Sequence, residues 1–97
     1  MEISQFKLAL HSALLGAIDV DVRAIAYNYI NYRIELYVYL DRVPKDNDYE
    51  IIDIAISEIM ASVPEILSQK IEIIEEHKPI GKINSYQGWL FVRYEKG

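Results

Sequence analysis

The sequence predicts one α+β domain over residues 1–97, in the order α-β-β-α-β-β, with two helices packed on a mostly antiparallel four-stranded sheet. Two observations indicate this class. Two segments carry apolar residues at the three- and four-residue spacing of a helix, and each precedes two runs that are rich in β-branched and aromatic residues. Short connections favour pairing between consecutive strands, while the pairing of the two halves stays open.

The first helix is predicted over residues 3–15, where Ile3, Phe6, Leu10 and Ala13 recur on one side. Gly16 follows at a position where helices commonly end. The apolar stretch 8–18 is too short to span a bilayer and lacks the basic leader of a secretory signal, so no membrane attachment is expected.

Residues 22–41 (VRAIAYNYINYRIELYVYLD) hold five of the eight tyrosines and predict a β-hairpin. Its strands are expected at 22–29 and 32–40, with the turn near Ile30-Asn31. In the second strand the aliphatic residues alternate with a tyrosine-and-charge set, so the two sets lie on opposite faces. Tyr37 and Tyr39 belong to the second set. That face either packs inside the protein or meets a partner.

A second helix is predicted from about Asp46 to Ser62, with Asp46 or Asp48 as its cap and Pro64 just beyond its end. One side of this helix is apolar, and the opposite side is acidic at Asp46, Glu50 and Asp53. The third and fourth strands are expected at 70–76 and 89–94, and a polar loop is expected at 82–88.

The charge is unevenly distributed. The whole chain carries −5, whereas residues 46–76 contain nine acids and one base, so this segment carries −8 and the remainder +3. An acidic protein is poorly suited to bind nucleic acid directly, but a field of one sign can steer a basic partner. The alternative is a solvated acidic surface that aids solubility.

No convincing catalytic or metal-binding constellation is present, so no enzyme activity, metal or cofactor is expected. His11 and His77 lie at predicted surface positions, and the adjacent residues 75–77 converge poorly on one ion. There is no cysteine, which excludes disulfides and thiolate metal sites and fits a reducing cytoplasm.

The order of short motifs resembles the small immunity protein family of bacterial contact-dependent growth inhibition and related polymorphic toxin systems. The motifs are Leu15-Gly16, Val22-Arg23-Ala24, Leu40-Asp41, the acidic helix, and Trp89 followed by Arg93-Tyr94-Glu95. The resemblance implies a single immunity-protein-like domain that is cytoplasmic and blocks the C-terminal toxin domain of its cognate partner, which is often a nuclease. The long connection 77–88 departs from the family pattern, and the matching motifs are expected to serve the fold.

The leading hypothesis is therefore a non-enzymatic immunity protein whose acidic helix and exposed tyrosines cover a basic toxin site. The residues predicted to contact the toxin are Asp46, Asp48, Glu50, Asp53, Tyr37 and Tyr39. Two alternatives stay open. One is a self-associating structural or regulatory subunit without a toxin partner, and the other is a small enzyme that uses His11 or His77.

Overall fold

The computed structural model describes residues 3–16 and 18–95, with side chains from residue 7 onward. It confirms the predicted α-β-β-α-β-β order, and no boundary differs from its predicted position by more than two residues. The elements are α1 (Ile3–Leu14), β1 (Val22–Ile30), β2 (Arg33–Leu40), α2 (Asp46–Ser62), β3 (Ser68–Glu75) and β4 (Gly88–Val92), with one 3-10 turn at Ile80–Lys82.

The four strands form one mixed sheet in the order β3-β2-β1-β4. β1 is antiparallel to both β2 and β4, whereas β3 runs parallel to β2. Parallel neighbours need a long crossover between them, and α2 supplies it. The predicted two helices and mostly antiparallel sheet are thus confirmed. The two halves of the chain join through the parallel β2–β3 pair and the antiparallel β1–β4 pair. The expected pairing of consecutive strands does not hold for β3 and β4, which lie at opposite edges of the sheet.

The turn of the first hairpin consists of two residues whose backbone lies in the left-handed region. Asn31 and Tyr32 have φ angles of 53° and 63°, and Ile30 pairs with Arg33 across the turn. Two successive positive φ angles are typical of the two-residue turn that matches the twist of a hairpin. The turn therefore lies one residue later than predicted.

The main core lies between the helices and one face of the sheet. The aliphatic set of β2 faces it, as the alternation predicts, together with Leu10 and Leu14 of α1. α2 contributes the apolar stripe that the helical period identifies. The β2 and α2 members are Ile34, Leu36, Val38, Leu40, Ile52, Ala55, Ile56 and Ile59.

The second face of the sheet is also covered. Residues 77–87, here called the strap, run between β3 and β4 and pack on this face through Ile83, which is 9% exposed. Ala24 and Ala26 of β1 lie beneath the strap. Their small side chains leave room for the strap and for the neighbouring aromatic rings. The connection that departs from the family pattern is therefore part of a second, smaller core.

Four charged residues close one end of the sheet and are here called the strand-end network: Arg23, Asp41, Arg93 and Glu95. Arg23 is only 5% exposed, and its guanidinium donates two hydrogen bonds of 2.8 Å to Glu95. It also donates to the carbonyl of Glu76 just beyond β3. Arg93 binds Asp41 at 2.8 Å and Glu95 at 2.9 Å. The network thus connects the ends of all four strands.

Removing one partner from a buried ion pair leaves a charge without compensation, which is costly. We expect Glu95→Gln to lower the free energy of unfolding by about 3 kcal/mol. Glu75→Gln is the matched control, because Glu75 pairs at the surface with His77, whose side chain is 65% exposed. That control should cost less than about 1 kcal/mol. Urea denaturation measures both, and equal effects would contradict a structural role for Glu95.

The same carboxylate makes stability depend on pH. The hydrogen bonds from Arg23, which has the larger effect, and from Arg93 together lower the pKa of Glu95 to about 2, whereas a glutamate in an unfolded chain titrates near about 4.3. Its stabilising contribution is therefore complete above about pH 4.3 and is lost as the pH falls towards about 2. We expect the free energy of unfolding to fall more steeply over this range in the wild type than in Glu95→Gln. The free energy of unfolding is measured by urea denaturation at successive pH values. The same pH dependence in the wild type and in Glu95→Gln would contradict this prediction.

Candidate functional site

The four acidic residues predicted to contact a partner all lie on α2, but they have different surroundings. Asp48 is engaged inside the protein: the Arg42 guanidinium donates to both of its oxygens, at 2.7 and 2.8 Å, and also binds Asp21 at 2.7 Å. The hydrogen bond from Arg42 lowers the pKa of Asp48. This carboxylate therefore fixes α2 to the ends of β1 and β2.

Asp48 also organises the first turn of α2. The helix begins at Asp46 and its N-cap residue is Lys45, so the prediction that Asp46 or Asp48 is the cap residue is wrong. The carboxylate of Asp48 instead accepts a hydrogen bond from the backbone N–H of Lys45 at 2.7 Å. This is the return bond of a capping box, made from the third position of the helix.

Asp53 is half-buried and accepts a hydrogen bond from the side-chain amide of Gln69 on β3. It therefore connects α2 to the sheet. Asp46 and Glu50 are exposed, and their carboxylates have no hydrogen bond or ion pair with any described residue. Glu58, two turns after Glu50, is also exposed and its carboxylate has no partner within the described ranges. These three carboxylates are here called the free acidic row.

The prediction of exposed tyrosines at Tyr37 and Tyr39 is wrong, because each is only 4% exposed. The predicted face is correct, since both rings lie opposite the helices, but the strap covers them. The ring of Tyr37 stacks on Tyr86 of the strap, with 3.8 Å between centroids and 8° between planes. Its hydroxyl donates to Glu35 at 2.9 Å.

Tyr39 is held by the strap in a similar way. Its hydroxyl donates to the carbonyl of Asn84 at 2.9 Å, and its ring meets Trp89 edge-on at 6.1 Å. Alternation along β2 reveals which face a tyrosine occupies, but it cannot reveal that residues 77–87 fold back across that face. Tyr27 and Tyr29, which belong to β1, lie on the helix side of the sheet, where Tyr27 is 2% exposed.

Sequence reasoning missed two residues that shape the candidate site. Arg42 forms ion pairs with both Asp21 and Asp48. The sequence does not indicate this role, because it depends on the end of β2 and the start of α2 lying close together in the fold. Ile54 lies outside the apolar stripe of α2 and is 62% exposed between Glu50 and Glu58. An isoleucine on the acidic side of an amphipathic helix is the sequence signal that could have identified it.

Possible metal ligands and the two histidines are the remaining features of the described surface. No three histidine or carboxylate side chains among residues 7–16 and 18–95 are close enough to hold a metal ion together. His77 contacts Glu75 at 2.8 Å on the surface, and His11 borders a shallow depression beside Leu8 and Trp89. In the described part of the chain, no helix is long and apolar enough to cross a membrane.

The structure is a small α+β domain whose four-stranded sheet is covered on both faces and whose second helix carries three exposed carboxylates without a partner among the described residues. Comparison with known proteins identifies the family. The chain belongs to the MafI2 immunity protein family, whose sequence model matches residues 3–95. The resemblance to immunity proteins of polymorphic toxin systems is thereby confirmed. A search of curated proteins found no match.

The burial of the two tyrosines has a measurable consequence. Burial raises the pKa of Tyr37 and of Tyr39 to about 12, and the hydrogen bond to Glu35 adds to the effect at Tyr37. These pKa values lie above the ordinary value of about 10 for a tyrosine, so the two buried, protonated tyrosines stabilise the folded state. Their contribution to the free energy of unfolding is complete below about pH 10 and is lost as the pH rises towards about 12.

We therefore expect a late phenolate component in an ultraviolet titration of the folded protein. Tyr37→Phe and Tyr39→Phe should each remove part of it. Tyr94→Phe is the control, because Tyr94 is 88% exposed and lies outside the strap, and it should leave the late component unchanged. A single early transition in the folded wild type would contradict the burial of these rings.

Proposed function

We propose that this chain is a cytoplasmic immunity protein that binds the C-terminal toxin domain of a contact-dependent inhibition system and blocks it directly. Membership of the MafI2 immunity protein family supports the immunity role. The single observation that supports the mode of binding is the free acidic row on α2, because Asp46, Glu50 and Glu58 have no internal ion partner within the described ranges.

Unpaired surface carboxylates are suited to recognise a basic partner. Other carboxylates of the chain are already committed: Asp48 and Asp21 pair with Arg42, and Glu95 pairs with Arg23. The free acidic row can therefore meet cationic side chains without first breaking internal bonds. We further propose that the toxin is a nuclease, since a nuclease needs a basic groove for its phosphate substrate and an acidic protein competes for that groove.

Electrostatic attraction between the two proteins would also speed their association. Complementary potentials raise association rates well above those of neutral partners at low ionic strength. Fast capture suits an immunity protein, which must bind the toxin before the toxin acts. This role requires no catalysis by the chain itself.

Self-association without a toxin partner is the alternative. β3 is an edge strand with one hydrogen-bonded neighbour, and such edges can pair between molecules. However, Lys70, Glu72 and Glu75 place charges along β3, which disfavours pairing of two edges. Sedimentation of the isolated chain separates the two proposals, because a monomer that binds the toxin excludes self-association as its function.

Charge reversal tests the proposed surface. The partner to use is the purified C-terminal domain of the cognate toxin, which is to be sought in the open reading frames next to this chain's gene. We expect Asp46→Lys with Glu50→Lys to slow association roughly tenfold or more at low ionic strength. The difference from the wild type should shrink near 1 M salt, where the Debye length is about 3 Å. Asp48 and Asp53 are left intact because both serve the fold.

The matched control is Glu72→Lys with Glu75→Lys, which changes the net charge equally but alters β3 rather than α2. The control should associate at nearly the wild-type rate, measured by stopped-flow or surface-based kinetics. Equal slowing by both pairs would show that net charge alone matters and would remove the role of α2. A wild-type chain that neither binds nor neutralises the toxin domain would refute the proposed function.

A further inference from the structure

An apolar groove runs between the two helices on the outer surface of the protein. It consists of two adjoining depressions of about 350 and 260 Å³ that share Ala13 and Glu58. The α1 side is lined by small residues, among them Ala9 and Ala13, with Gly16 just after the helix. Small side chains on one wall leave space that a side chain from another molecule can fill.

The α2 wall of this groove includes Ile54 and Glu58, and Glu50 lies one turn before Ile54 on the same helix. Glu50, Ile54 and Glu58 follow one another at four-residue spacing along α2, so each is about 6 Å further along the helix axis. Ile54 is 62% exposed and lines the groove, and Glu58 lines both depressions. Glu50, Ile54 and Glu58 therefore present an apolar side chain between two carboxylates that are unpaired among the described residues.

We infer that this groove is the docking site for a basic amphipathic helix of the toxin domain, an inference that rests on the proposed function. A helix with an apolar residue one turn away from a Lys or Arg on each side repeats the spacing of Glu50, Ile54 and Glu58. Its apolar residue packs on Ile54 and into the groove, and its cations pair with the two glutamates. Amphipathic helices bind to grooves in this way through anchors at one-turn spacing.

The charge of the groove argues against other occupants. A nucleic acid or an anionic membrane surface would place phosphates beside Glu50 and Glu58. A second copy that docked by the same face in a symmetric dimer would bring two acidic rows together. The apolar residues that line the groove and the free acidic row beside it both favour an amphipathic helix that carries Lys or Arg.

Two substitutions that leave the net charge unchanged test the groove separately from the charge. Ile54→Ala removes the apolar anchor, and Ser12→Trp fills the groove from an exposed position of α1. The controls repeat the same chemistry elsewhere. Leu67→Ala removes an apolar side chain that is 72% exposed, and Ser68→Trp adds a ring at an exposed position where β3 begins.

Titration calorimetry against the same cognate toxin domain provides the measurement. We expect roughly tenfold weaker binding for Ile54→Ala and a larger loss for Ser12→Trp, with the controls within about twofold of the wild type. Urea denaturation should show all four variants as stable as the wild type, because the altered side chains are exposed.

The outcomes separate the groove from the function. If the wild type binds the toxin domain and both groove variants bind within about twofold of it, the docking site is overturned and the proposed function stands. If the Leu67 or Ser68 variant loses binding while the groove variants keep it, the contact lies at the hairpin end and the inference is wrong. If the wild type itself does not bind, the proposed function fails and the inference fails with it.

Discussion

The buried guanidinium of Arg23 is the constraint on which the rest of the structure depends. A charge that is only 5% exposed needs a partner, and Glu95 beyond β4 provides it. The chain returns after β3 and places β4 beside β1, which brings Glu95 to Arg23. Arg93 ties the same glutamate to Asp41 after β2, and the carbonyl of Glu76 accepts a further bond from Arg23. Residues far apart in the sequence thus set the alignment of all four strand ends, which explains why the motifs that carry the family resemblance are structural.

The strap covers one face of the sheet and thereby determines which surfaces remain exposed to a partner. The strap buries the rings of Tyr37 and Tyr39 through Ile83, Tyr86 and Asn84, while α1 and α2 cover the other face. With both faces of the sheet covered, neither can act as an open aromatic platform. The outer sides of the helices stay exposed, and α2 carries the free acidic row there. The toxin contact that we propose therefore lies on α2 and not on the hairpin tyrosines that the sequence also predicted. The hairpin packs under α2 and holds it in place.

Much of the fold could be predicted from local pattern. Period-two alternation in β2 and the helical period in α2 identify the core residues, because burial on one side is what produces each period. The parallel β2–β3 pair and the path of the strap could not be predicted, since they depend on contacts between residues far apart in the chain. The candidate site was predicted in part for the same reason. Composition identified the acidic side of α2, but it could not distinguish Asp48, held by Arg42, from Glu50, which has no described partner.

Division of the acids into paired and unpaired groups links stability to the proposed recognition. Arg42 and Asp48 anchor the first turn of α2, and Asp53 connects the middle of the helix to β3 through Gln69. These bonds fix the orientation of the helix before any partner arrives, so less conformational freedom is lost on binding. The carboxylates that do not anchor the helix point outward at regular spacing around Ile54. A helix that is held on one side by its own ion pairs can thus present an unsatisfied and well-positioned row of charge on the other.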